Sequence, residues 1–446
     1  MYQFRDPIHG FIDVSRMEIK IVDSAPFQRL RHIKQLATTF LVYHGAEHTR
    51  FGHSLGVMHL VTKAYDSALN NYRHSSGKAL FEPVREKWYR QILRLIALTH
   101  DLGHAPYSHA SEALFEDGME HEDFTKKIIC ETEIAEHIHS IGCQFCQEHN
   151  VGDEYKITPE LLWLIYGEKT PELDPRYIMS DFKFLKSFMD SELDCDKMDY
   201  LLRDSYYCGV NYGNYDLNRL LSSLNVYKDE KSNIMQLAIN RNGVAALEEF
   251  IIARYFMFIQ VYFHKTRRLL DRLLVNSISD ILPNQKYPVD INKYLEYNDN
   301  VIFNKIKENQ DKIVSAKHFI NRQVKTCVYD SVTHGNTENE TQIYELVKKE
   351  LESKLNNEVT EDTPNKLAHK IPHIEMYDAD SGNGIPIIVQ HLNRPRGISK
   401  ESVLLQSLIG KPINIKRLYV DKSCALLAKE IVRKFINVGD ENDDDK

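Results

Sequence analysis

The stretch "LIALTHDLGHAPYSH" (95–109) sets His100, Asp101, His104 and His109 directly behind a run of apolar residues. Imidazoles and a carboxylate are costly to bury without partners, so their place behind a core helix points to chemistry. Upstream, "HTRFGHSLGV" (48–57) offers His53 at the start of another helix. Downstream, "SELDCDKMDYLLRDS" (191–205) offers Asp194, Asp196, Asp199 and Asp204. His53, the His100–Asp101 pair and one of these distant aspartates would supply two imidazoles and two carboxylates. That mixed donor set suits Mg, Mn, Fe or Zn with open positions left for water and substrate. Neighbouring helical residues point about a quarter-turn apart, so His100 and Asp101 can share an ion only near a helix end. A single histidine after an apolar run is more often a hydrogen-bonded core residue than a ligand. Four elements in this order, with further histidines close by, reverse that balance. Spacing alone does not choose among the aspartates.

The elements that must hold these groups are mostly helical. Apolar residues recur at three- and four-residue spacing in 54–69, 88–102 and 244–274, the last long enough for one central helix. Residues 285–315 turn polar and read as a junction, and 333–342 and 356–366 read as loops. Strand signals come late, in "GIPIIVQHL" (384–392) and "KPINIKRLYV" (411–420), followed by an amphipathic helix at 424–436. The expectation is a mainly α protein. It has a helical core over 1–290, a small C-terminal α+β lobe over 291–437 serving regulation or oligomerisation, and a disordered acidic tail over 438–446.

Bulk properties narrow the class. The 446 residues carry a net charge of -8, from 56 basic and 64 acidic side chains, which gives no global attraction to nucleic acid or membrane. The start lacks the basic and apolar regions of a secretory signal. The most apolar window, 250–264, carries Arg254 and Gln260 and is too short and polar to span a bilayer. Seven cysteines, an odd number, read as reduced thiols. A soluble cytoplasmic protein is expected.

The order H…HD…D resembles that of the HD-domain metal-dependent phosphohydrolases. The likeness is closer to their dNTP triphosphohydrolase branch, meaning the eukaryotic enzymes that join a sterile-alpha-motif domain to an HD domain, and their bacterial relatives. It is carried by "FRDPIHGFI" (4–12), "DSAPFQRLRHIKQL" (23–36), "HTRFGHSLGV", "HDLGHAPYSH" (100–109), "CDKMDYLLRDS" (195–205) and "YFHK" (262–265), which span most of residues 1–270. The resemblance implies an HD helical core and a divalent metal. It also implies hydrolysis of a dNTP to deoxynucleoside and triphosphate, by attack of metal-activated water at the α-phosphorus.

Carried over by position, the metal ligands become His53, His100, Asp101 and Asp196, the last fixed by the family's "DK-x-DY" motif. His104 and His109 correspond to residues facing the α-phosphate. His109 is the candidate general acid toward the departing 5′ oxygen, and Glu112 and His121 complete a relay. The family has Asp where Glu112 stands. Arg50, Lys197 and Arg254 match phosphate-holding cations. Arg254 sits among Ile252, Tyr255, Phe256 and Phe258, where a guanidinium needs a polar or anionic partner. Tyr200, Asp204 and Tyr262 resemble a deoxyribose pocket, where a tyrosine can exclude a 2′-hydroxyl. Gln35 and Leu36 match residues near the 3′-hydroxyl and base.

Asp23, Gln28 and Arg31 coincide with the guanine readers of the family's allosteric pocket, and Asp216, Arg219, His264 and Lys265 also fall on matching positions. A carboxylate can accept from guanine N1 and N2, and an arginine can donate to O6. A (d)GTP-type or other dNTP effector and a homotetramer are implied. Gln3 and Arg5 before "DPIHG", and Thr326 beside Lys325, depart from the eukaryotic pattern, which puts more weight on the catalytic assignment than on the regulatory one.

Two other features carry less. Cys143 and Cys146, flanked by His139 and His149, form one C-x-x-C without a second, so reduced thiols outweigh structural zinc. The basic run at 264–272 follows a helix flank, which favours a phosphate contact or salt-bridged face over nucleic-acid binding. The competing readings are an HD phosphohydrolase for another nucleotide, and a non-catalytic nucleotide-sensing or single-strand-binding scaffold. A scaffold has no need of all four ligands.

Overall fold

The computed structural model describes residues 1–167, 179–229, 234–334, 338–355, 358–367, 369, 384–392 and 394–443. The chain opens with an antiparallel hairpin of β1 (Tyr2–Asp6) and β2 (Gly10–Val14). Gly10 closes its turn at φ +76°, a backbone state that glycine adopts without strain. Helices α1 (Arg50–Ser76) and α2 (Pro83–Thr99) follow and pack together. Pro83 opens α2 at a position whose N–H has no helical partner anyway. The last helical residue of α2 is Thr99 and its cap is His100, so the His100–Asp101 pair does stand at a helix end. Helix α3 (Cys195–Cys208) packs on α1 and begins at Asp194, whose carboxylate accepts from the Lys197 N–H at 2.8 Å.

Strands are not confined to the late part of the chain. Besides the first hairpin there are β3 (Leu224–Lys228) and β4 (Met235–Asn240), paired antiparallel. Both are largely buried, so the polar/apolar alternation that marks a half-exposed strand is missing. The sheet continues from β4 to a parallel strand, Pro386–Ile388, and then to Arg396–Gly397.

The expected single helix over 244–274 is interrupted. Helix α4 (Val244–Met257) runs into a π-helical turn, Phe258–Tyr262, and α5 (Lys265–Ile281) starts afresh with His264 as its cap. Val261 and Phe263 stay buried across the break, which is why the apolar periodicity carries through it.

The main core also runs past residue 290. Segment Ile291–Leu295, helix α6 (Asp299–Asn309) and Val314–Ile320 contribute Ile291, Tyr294, Ile302, Ile306 and Phe319 to it. A second, smaller core gathers Tyr329, Tyr344, Val347, Leu418, Val420 and Val432. Its three-stranded sheet is ordered Thr326–Asp330, Arg417–Val420, Thr360–Asp362, packed with helices Glu338–Lys354 and Ala425–Asp443. The stretches read as loops thus contribute the start of a helix and two short strands, Thr360–Asp362 and Asn365–Leu367. The last helix continues into the acidic segment expected to be disordered, and 444–446 lie outside the described residues. The architecture is mainly α with small sheets. No helix among the described residues is long and apolar enough to cross a membrane.

Candidate active site

The N-terminal turns of α1 and α3 meet the C-terminal end of α2, and this junction brings His53, His100, Asp101 and Asp196 together. Asp196 Oδ1 lies 2.9 Å from His53 Nε2 and 3.8 Å from His100 Nε2. Asp101 approaches His53 Nε2 at 3.5 Å through Oδ2 and His100 Nε2 at 3.3 Å through Oδ1. Each imidazole is anchored from behind. His53 Nδ1 donates to Asp199 Oδ2 at 2.7 Å, and His100 Nδ1 donates to the Ala97 carbonyl at 2.8 Å. Both Nε2 atoms are buried and face only the Asp101 and Asp196 carboxylates. Two aimed imidazole lone pairs facing two carboxylates fit a divalent cation. The separations bracket the roughly 3 Å edge between adjacent ligands of an ion held at about 2.1 Å. Carboxylate–histidine support from behind is the usual way such ligands are oriented. Burial depresses the His53 pKa, but Asp196, Asp199 and Asp101 outweigh it and raise it to about 10. Nε2 therefore draws positive charge, whether proton or cation.

A second cluster lies beside the first. Glu112 receives His104 Nδ1 at 2.6 Å on one oxygen and His109 Nδ1 at 2.9 Å on the other, with His121 Nδ1 at 3.5 Å. The His104 and His121 rings stack at 3.8 Å. Burial opposes charge on Glu112, yet the three imidazoles hold it ionised far below the usual carboxylate range. Burial also works against charge on His121, but Glu112 and Glu122 raise its pKa. His109 is the exposed member, with 67% of its side chain open to solvent.

Both clusters border one cleft of about 1570 Å³, which Gln35, Leu36, Arg50, Lys197, Arg254 and Tyr262 also line. His53 and Glu112 sit just behind its wall. Each of these three cations holds a carboxylate: Arg50 holds Asp101 at 2.6 Å, Lys197 holds Asp194 at 2.5 Å and Arg254 holds Glu192 at 3.2 Å. Asp194 is therefore a helix cap and lysine partner, and Asp196 is the aspartate that faces the histidines. The π-helical turn delivers Tyr262, whose hydroxyl donates to Asp204 at 2.7 Å. His48 binds the other Asp204 oxygen at 2.8 Å, and Tyr200 meets Tyr262 edge-on at 6.2 Å.

Sequence reasoning missed the groups that hold the His104 loop. Arg29 donates to the Leu102 and His104 carbonyls at 3.4 and 3.0 Å, and Tyr294 Oη donates to the Gly103 carbonyl at 2.7 Å. Asp299, the first residue of α6, accepts from the Tyr107 and Lys34 N–H groups at 2.7 and 2.8 Å. Tyr107 has φ +59°, a strained state that this clamp fixes. Burial raises the Asp299 pKa to about 7 against those two donors. Asp299→Ala would orphan one buried and one half-buried N–H group, at about 1–3 kcal/mol each. We expect a loss of about 2–4 kcal/mol in chemical denaturation, with loosened substrate binding. An unchanged midpoint would show that the clamp contributes nothing.

None of Asp23, Gln28, Arg31, Asp216, Arg219, His264 and Lys265 lines the cleft. Arg31 donates to Gln28 at 2.8 Å on the α1-side surface, and Asp216 caps the helix that carries Arg219 at 2.9 Å. His264 caps α5, and Lys265 reaches Asp330 at 3.5 Å. Cys143 and Cys146 join no cluster of metal-ligating side chains among the described residues.

The sequence matches the HD domain over residues 50–176 and the HD associated region over 215–414. It is 29% identical over 446 residues to the uncharacterized protein YwfO of Bacillus subtilis, covering 94% of this chain and 92% of that one. It is 28% identical over 290 residues to the deoxynucleoside triphosphate triphosphohydrolase SAMHD1 of Danio rerio, covering 62% of this chain and 44% of that one. The chain spans about half the length of several curated relatives that it matches. A crystal structure of a hypothetical protein from Aquifex aeolicus superposes with a TM-score of 0.74 at 31% identity, covering 97% of this chain and 99% of that one. The HD match contains His53, His100 and Asp101, and the associated region supplies Arg254 and Tyr262 from the far wall of the same cleft. With these likenesses and that geometry, the chain belongs to the HD-domain phosphohydrolases.

Proposed function

We propose that this phosphohydrolase acts on deoxynucleoside triphosphates, converting dNTP and water to deoxynucleoside and inorganic triphosphate. One observation carries the reading. Two buried imidazole nitrogens that face only carboxylates border a cleft with a three-histidine cluster and with Arg50, Lys197 and Arg254. A phosphorus held between them would meet a cation site, a proton donor and positive side chains together.

A divalent cation on His53, His100, Asp101 and Asp196 would supply Lewis-acid polarisation of phosphate oxygens and lower the pKa of water. The chain's own residues do the rest. Glu112 holds the Nδ1–H tautomer of His109, which leaves its Nε2 for proton exchange, whereas His104 Nε2 faces Asp101 Oδ1 at 3.1 Å and ties the two clusters together. His109, open to the cleft, is placed to give a proton to the departing 5′ oxygen. Arg50, Lys197 and Arg254 exchange their carboxylate partners for a triphosphate of about four negative charges. Tyr262, fixed by Asp204, and Tyr200 crowd the sugar and disfavour a ribonucleotide. We assign Asp23, Gln28, Arg31, Asp216, Arg219, His264 and Lys265 to a nucleotide effector at contacts between subunits of a homotetramer. The exposed Arg31–Gln28 pair, away from the cleft, supports that assignment.

The test is a turnover panel of the four dNTPs, alone and in pairs, with Mg²⁺ or Mn²⁺, alongside light scattering. We expect at least one dNTP to be cleaved, a second nucleotide to raise the rate and the mass to rise to a tetramer. Absence of turnover in every mixture would remove the dNTP assignment. Turnover by a monomer, without response to a second nucleotide, would remove the effector alone.

A further inference from the structure

The "DPIHG" turn (6–10) joining β1 and β2 does not line the cleft, yet its Asp6 and the His9 ring are buried and tied to the proposed metal site. Asp6 Oδ1 accepts the Ile8 and His9 N–H groups at 2.9 and 3.0 Å, which fixes the turn that presents His9. The His9 side chain, 2% exposed, donates from Nε2 to Asp199 Oδ1 at 2.6 Å. The other Asp199 oxygen accepts from the His53 ring at 2.7 Å. Arg203 binds both Asp199 oxygens, at 2.8 and 2.9 Å, and reaches Asp6 Oδ2 at 2.8 Å. A closed ring therefore runs Asp6, His9, Asp199, Arg203, with His53 as its one exit toward the cleft.

Helix α1 is shaped around this ring. Gly56 lies one turn after His53, and a Cβ there would stand 1.9 Å from Asp199 Oδ1 and 2.5 Å from an Arg203 guanidinium nitrogen. The ring also sets charge. Asp199 gives electron density to the His53 ring, while Arg203 withdraws it. Asp6 shares the Arg203 charge and so leaves more of the Asp199 charge for His53. A carboxylate behind a ligating imidazole fixes its tautomer and raises its basicity at the metal-facing nitrogen.

We propose that Asp6, His9, Asp199 and Arg203 are positioning residues that set the metal affinity of His53, so that the N-terminal hairpin tunes a cation it never touches. The inference rests on the metal reading of His53, His100, Asp101 and Asp196. A ring that only stabilised the fold would change the melting temperature and leave metal affinity alone.

The test titrates Mn²⁺ calorimetrically into the metal-free full-length chain, for wild type, His9→Leu and His9→Gln. A glutamine amide can still donate to Asp199, and leucine cannot. We expect His9→Leu to weaken Mn²⁺ binding by about 10- to 100-fold, the range found when such supporting partners are removed. His9→Gln should stay within about threefold of wild type. Equal affinity in wild type and His9→Leu would overturn the positioning role while the metal site stood. A wild-type chain that takes up no Mn²⁺ would overturn the metal reading itself. Should His9→Leu not fold, Asp6→Asn decides, because it keeps the turn's acceptor oxygen and removes the charge facing Arg203. Weakened Mn²⁺ binding in Asp6→Asn supports the proposal, and unchanged binding overturns it.

Discussion

Asp196→Asn lowers kcat/KM by about 10³-fold or more, while the fold survives. Asp196 supplies the carboxylate nearest the His53 lone pair, at 2.9 Å, and is partly open at 33% side-chain exposure. Replacing it therefore opens no cavity in the core. On the proposed metal reading it removes the anionic ligand that would draw a divalent cation between two imidazoles, and it relieves the crowding of acidic groups around His53. Loss of Lewis-acid assistance amounts to several kcal/mol of transition-state stabilisation, and about 4 kcal/mol is roughly a thousandfold in rate. Steady-state kinetics, metal content by elemental analysis and thermal unfolding are read on the same preparation. Metal content should fall with activity while the melting temperature moves little. A variant that kept both its metal and its rate would remove Asp196 from the site.

Glu112→Gln is expected to lower kcat by about 10²- to 10⁴-fold with little change in KM, the range associated with losing a positioned acid or base. Glu112 is the common acceptor of the three-histidine cluster, and its charge favours imidazolium at His121, while burial keeps His104 neutral. A glutamine offers one acceptor oxygen and no charge. The sign of the pH effect follows from His121, whose pKa is raised chiefly by Glu112 once its burial is overcome. Without that carboxylate the imidazolium loses its proton at lower pH. A basic limb of the kcat profile set by the His121 imidazolium should thus move to lower pH. A His109→Ala variant measured beside it should lower kcat by a similar factor. A Glu112→Gln profile that overlays the wild type would show that the carboxylate does not tune His121.

The parts of the site legible in the sequence were those whose chemistry is local. The His100–Asp101 pair stands at a helix end because α2 stops at Thr99, and the apolar run before it marks where a rigid helix must be. Choosing Asp196 from its neighbours needed the family pattern, because Asp194 and Asp199 are equally acidic. The structure separates them by their partners, Lys197 for Asp194 and His53 with Arg203 for Asp199. The Asp199–Arg203 pair at i, i+4 was a usable helical signal that passed unread.

The His104 clamp was beyond reach for a different reason. Asp299 lies 192 residues from Tyr107, inside a polar stretch that reads as a junction, and only the tertiary fold turns it inward. The π-helical turn at 258–262 escaped because apolar spacing survives a one-residue widening of the helix. Strands β3 and β4 escaped because burial on both faces erases alternation. Long-range hydrogen bonding, invisible to periodicity, supplied the clamp.

The central claim is that this HD site brings water to the α-phosphorus of a dNTP. It is tested most directly by turnover in H₂¹⁸O with Mn²⁺, reading the products by ³¹P NMR and mass spectrometry. The expected result is one ¹⁸O atom in the inorganic triphosphate and none in the deoxynucleoside. Deoxynucleoside monophosphate with pyrophosphate, or label appearing in the sugar, would contradict it.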